Sequence, residues 1–180
     1  MTLEQLIIGL IRIAGSLPVL RWALVGALIA IVVDFSDLFF MAVIDLGGLG
    51  DYQAFDKWID LVYMFGFLWV ANRWSGPERT VAIGLFAFRM IGFVVFEITG
   101  ARSVLLVFPN VFEFWFVFVA IRLHYWPGYE MTRPRIVKWL VVTLVLKMGQ
   151  EWVLHGGRYL DSFTLFEAVD AIWDFVIFWS

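Results

Sequence analysis

The chain has 180 residues, 62% of them hydrophobic and 16% charged. A soluble domain of this size is usually about half apolar and about a quarter charged, so an ordinary soluble globular domain is excluded. The net charge of −3, with no basic arm or stripe, offers nothing to nucleic acid. The absence of cysteine excludes disulfides, thiolate metal sites and catalytic thiols.

Leu3 to Ala14 is apolar but only about a dozen residues long, too short to cross a bilayer. With Glu4, Gln5 and Arg12 as polar points, residues 1–16 are expected to form an amphipathic helix lying in the interface. No small-residue cleavage site follows it, so no cleavable signal is expected. Ser16-Leu17-Pro18 reads as a cap with Pro in the first turn of the next helix.

The first expected span covers residues 18–45. At about 1.5 Å per residue it is about 42 Å long, more than the hydrocarbon needs, so it must tilt, break near Ser36 or leave its last turns outside. Gly47-Gly48-Leu49-Gly50 breaks the chain. The second span is expected at 56–74, ended by Ser75-Gly76-Pro77, and the third at 78–98, ended by Gly100. The fourth, 102–126, contains Pro109, which removes a backbone hydrogen bond and kinks a helix. The fifth covers 134–155 and stops at Gly156-Gly157. The sixth covers 163–179, with Thr164 and Glu167 spaced as a capping box.

The fold class expected is therefore all-α: a polytopic transmembrane bundle of six helices preceded by a short interfacial amphipathic helix. Residues 1–180 form one integral membrane domain, and the 10 Trp and 19 Phe suit aromatic belts against the lipid bilayer. Eight basic residues (Arg12, Arg21, Arg73, Arg79, Arg122, Arg133, Arg135 and Lys138) fall on the side of the N-terminus, and three (Lys57, Arg102 and Arg158) fall opposite. Positive charge collects on the cytoplasmic side, so both termini are expected there.

Charges nonetheless lie within these spans, and a charge near mid-membrane is expensive unless paired or hydrated. Asp34, Asp37, Asp60, Glu97, Glu151 and His155 fall in the outer half, with Asp56 at the outer surface. Residues three or four apart share a helix face, which groups Asp34 with Asp37, Asp56 with Asp60, and Lys147 with Glu151 and His155. Converging, these faces would line an outward-facing acidic cavity for a cation or small polar solute. Oxygen ligands of this kind suit a divalent cation, Mg or Ca. Arg89 and Glu113 lie about equally far from the Gly100 turn and are expected to pair, with Lys147 joining them. Such pairs can equally serve only to hold helices together, because hydrophobic attraction between helices is weak in lipid. Glu167, Asp170 and Asp174 form an acidic stripe that either faces the cavity or meets Arg122 and Arg135. Asn110 beside Pro109 reads as a satisfied polar group at the kink.

Asp34-x-x-Asp37 followed by Asp56-x-x-x-Asp60 is similar to the acidic half of the CDP-alcohol phosphotransferase motif. The resemblance implies two divalent metals held by Asp34, Asp37, Asp56 and Asp60 between two of six spans, in a lipid enzyme. It covers some 27 residues and departs at Leu38, at Ala42-Val43 and at Tyr52, and the acidic spacing is one residue longer. The reading that best fits the residues is a membrane protein binding or transporting a cation or polar solute. The lipid enzyme and an accessory subunit of a larger membrane complex, or a homo-oligomer, are the alternatives.

Overall fold

The computed structural model describes residues 3–43, 52–101 and 103–152. The chain divides into two units, Met1–Lys147 and Met148–Ser180, and the described part of the second is residues 148–152. Among the described residues all regular structure is helical: α1 Leu3–Ser16, a 3-10 turn Leu17–Leu20, α2 Ala23–Val43, α3 Tyr52–Ala71, α4 Pro77–Thr99, α5 Ser103–Val107, α6 Val111–Tyr125 and α7 Arg133–Glu151. The expected sixth span, 163–179, lies outside them.

α1 and α2 form an antiparallel pair. The sequence of contacts shows it, for Gly26 meets Val19 while Gly15 meets Val33. α1 also packs on α3. The expected amphipathic helix at residues 1–16 is thus packed on its neighbours along its length. Pro18 sits in the 3-10 turn and not in the first turn of α2, and Ser16 ends α1, its hydroxyl donating to the Arg12 carbonyl at 2.7 Å. A β-carbon at Gly26 would run into the backbone of Pro18 and Val19, so the tight return requires glycine there. α2 continues unbroken through Ser36, whose hydroxyl folds back onto the Val33 carbonyl at 2.6 Å.

α6 is the central helix. It packs against α2, α3 and α4, and Phe112, Trp115, Phe116 and Val119 are fully buried. Phe116 stacks on Phe67 of α3 at 4.2 Å and on Trp74 at 5.0 Å, and Phe118 stacks on Trp139 of α7 at 4.4 Å. A helix apolar all round belongs in an interior, and α6 follows that rule.

α1 and α7 show the reverse of the pattern a water-soluble helix has. On α1 the buried stripe is Ile8, Arg12 and Ser16, while Leu3, Leu6, Leu10, Ile13 and, just past its end, Leu17 are exposed. On α7, Thr143 and Lys147 are buried while Val137, Val141, Leu144 and Val145 are exposed. Among the described residues α4 is the one helix long and apolar enough to cross a membrane. It starts at Pro77 and stops at Gly100, whose φ of 64° suits glycine at a left-handed cap.

The fourth expected span is broken, not kinked. α5 ends at Val107, residues 108–110 leave the helix, and α6 starts at Val111. Pro109 has no N–H to continue the helix ladder, and at the break the Phe108 carbonyl accepts from Arg89 of α4 at 2.9 Å. Gly92, one turn beyond Arg89, leaves room for the Phe108 side chain.

Candidate functional site in the polar interior

Two groups of polar side chains meet along α3. In the first, the buried Arg12 guanidinium of α1 binds both the Asp34 carboxylate of α2 and the Asp60 carboxylate of α3. Arg12 is 3% exposed, whereas the side chains of Asp34 and Asp60 are 34% and 21% exposed. The base therefore enters from the closed side, and the acids keep a partly open face. The expected separation of Arg12, towards the N-terminal side, from Asp34 and Asp60 is not what the structure shows. The doubling back of α1 along α2 brings them to one level.

The second group lies one turn along α3, where Tyr63 follows Asp60 by three residues and so shares its face. The Tyr63 hydroxyl donates to Glu113 of α6 at 3.2 Å, and the Asn110 amide donates to the Tyr63 hydroxyl at 3.2 Å and to Glu113 at 3.1 Å. Asn110 is buried and its side-chain oxygen has no hydrogen-bond partner. The expected full satisfaction of Asn110 thus holds for its amide nitrogen and not for its oxygen.

Arg89 and Glu113 have different partners, a backbone carbonyl for the base and a tyrosine and an amide for the acid, in place of the direct ion pair expected. The physical reason is the broken helix, which offers Arg89 an unclaimed carbonyl. Lys147 is buried, with its ammonium over the Phe114 ring at 5.9 Å. Glu97 is exposed near the end of α4, and Glu151 is half-buried in the second unit. The side chains of Asp37 and Asp56, all of His155, and the stripe of Glu167, Asp170 and Asp174 lie outside the described residues.

Of the four aspartates in the phosphotransferase-like spacing, Asp34 and Asp60 do converge, but on a guanidinium, whose single positive charge offsets one of the two carboxylates. Among the described residues no three acidic or imidazole groups come together as a metal cluster.

Sequence reasoning missed a third feature. Glu78 in the first turn of α4 makes a buried ion pair with Arg122 in the last turn of α6, and the Glu78 carbonyl accepts from the Trp115 indole at 3.2 Å. Arg122 therefore has a partner other than the distal acidic stripe. Arg135 donates to the Glu130 carbonyl at 2.8 Å and lies over the Tyr129 ring at 4.4 Å. The available signal was positional: an acid just inside a Pro-started helix and a base just before Pro127 belong to the same end of an antiparallel bundle.

Compared with known proteins, this chain matches no protein-family model, no curated protein and no solved structure.

Proposed function

We propose that this chain is an integral membrane protein of six spans that binds or transports a cation or small polar solute at Asp34 and Asp60. The inverted faces of α1 and α7 support membrane embedding. A helix in water hides leucines and shows arginine and lysine, whereas here Arg12 and Lys147 are inside and the leucines and valines outside. Exposed apolar side chains continue on α2, at Val25, Leu28 and Val32, and on α3, at Phe65 and Trp69. That extent exceeds the scattered apolar exposure of a soluble monomer.

The observation that carries the binding function is the pair of carboxylates converging on one guanidinium with their own faces partly open. Arg12 acts as a tethered cation. A mobile cation entering from the open side shares or displaces it, which gives two states that a ligand can bias.

Thermal unfolding of the purified protein in detergent, with sodium, potassium, magnesium, calcium or a small amine added, tests this. A ligand that fits stabilises the fold by about 2.7 kcal/mol at a hundredfold excess over Kd. Asp34→Asn abolishes the effect, and Arg12→Gln strengthens it by removing the internal competitor. If none of these ions shifts the wild type, the acids are structural and the accessory-subunit reading is the better one.

A further inference from the structure

The Glu78–Arg122 pair lies at the opposite end of α6 from Asn110, about 18 Å away along the helix. There it borders a cavity of about 350 Å³, also lined by Arg73, Trp74, Ser75 and Pro127. At about 30 Å³ per water, this is room for a tetrahedral oxyanion and several waters.

The charged residues lining this cavity are two arginines and one glutamate, a net positive set. One terminal nitrogen of Arg122 is taken by Glu78, but its Nε is buried without a hydrogen-bond partner, and the residue is only 9% exposed. A desolvated N–H of a charged group is unfavourable until an acceptor reaches it. Arg73 is exposed but held in place: it donates to the Leu20 carbonyl at 3.1 Å and lies 6.0 Å from the Trp69 ring. Two arginines, Arg73 and Arg122, and Ser75 line the cavity together with one acidic residue, Glu78. Arg21 and Arg79, next in sequence to Leu20 and Glu78, raise the positive potential at the same end.

We propose that this cavity binds a phosphate-type oxyanion, either free phosphate or the headgroup of an anionic lipid. Guanidinium groups suit phosphate because their planar forks match its oxygens. Arg122 and Arg73, which both line the cavity, supply the positive charge. Glu78 fixes Arg122 in the absence of ligand and competes with the anion for it. The site is separate from the Asp34–Asp60 reading and stands if that reading fails.

Thermal unfolding in detergent is measured with inorganic phosphate against sodium chloride of equal ionic strength. A second arm compares phosphatidylglycerol with phosphatidylcholine in mixed micelles. Stabilisation by phosphate alone assigns the site to a free anion, by phosphatidylglycerol alone to a headgroup, and by both to their shared chemistry. Arg73→Gln, at an exposed position outside the buried pair, weakens the apparent affinity for the anion about tenfold, measured against its own unliganded melting temperature. Glu78→Gln removes the competing carboxylate, so the variant is less stable alone and responds more strongly to the anion. The proposal is overturned if neither phosphate nor phosphatidylglycerol stabilises the wild type beyond its control, or if Arg73→Gln responds as the wild type does.

Discussion

Removing the Arg12 guanidinium takes the shared base from two partly exposed carboxylates, Asp34 and Asp60. Breaking a fully buried charge pair from one side costs about 3–5 kcal/mol, and the solvent that reaches these acids reduces that, so Arg12→Gln is expected to lower the unfolding free energy by less than this. Adding Asp34→Asn and Asp60→Asn to the same variant should recover most of the loss, as read by denaturation in detergent. A cation that fits the site should do the same for Arg12→Gln alone. Arg89 belongs to a different class, because it satisfies a backbone carbonyl at the helix break. Arg89→Met should cost about 1–3 kcal/mol, and Arg89→Lys, which keeps a donor, should cost less. Of these contacts the acids were legible in the sequence, since charge inside an apolar run stands out. Their partner was not, because Arg12 is 22 residues from Asp34 and 48 from Asp60. Only the return of α1 along α2 joins them.

The ends of α4 read well from the Pro and Gly that mark them, whereas Pro18 marked a 3-10 turn in place of the start of α2. α4 starts at Pro77 and stops at Gly100, close to the expected 78–98. The break at 108–110 read less well. Pro109 announces a disturbance, but whether it bends or breaks the helix depends on Arg89 and Tyr63 from two other elements, α4 and α3. Likewise, length and composition suggest an interfacial α1, whereas Gly26 and Gly15 provide the close approach that folds it onto α2. A glycine pair is consequently a sharp test at this scale. Gly26→Ala places a methyl group against the backbone of Pro18 and Val19 and should cost at least the roughly 1–3 kcal/mol of an overpacked contact. Gly84→Ala, in open space on α4, should instead be neutral or stabilise the helix by about 0.5–1 kcal/mol. Equal melting temperatures for the two variants would refute the tight α1–α2 return.

The distribution of polarity over the first unit is what unites these observations. Arg12, Asn110, Glu78, Arg122 and Lys147 are buried, while leucines, valines and tryptophans cover the outside. Composition suggests an apolar environment and the Lys and Arg count proposes a direction in it. Which face of each helix turns inward was not legible, because α1 and α7 bury their polar stripes only once neighbours are in place. The account stands or falls on α4 crossing a bilayer, and the absence of native cysteine makes that directly measurable. Ser75→Cys and Thr99→Cys, both exposed and just outside or at the two ends of α4, are labelled singly in intact cells with a membrane-impermeant maleimide. The account predicts that Thr99→Cys reacts from outside and that Ser75→Cys reacts only after the membrane is opened. Reaction of both positions from the same side would contradict it.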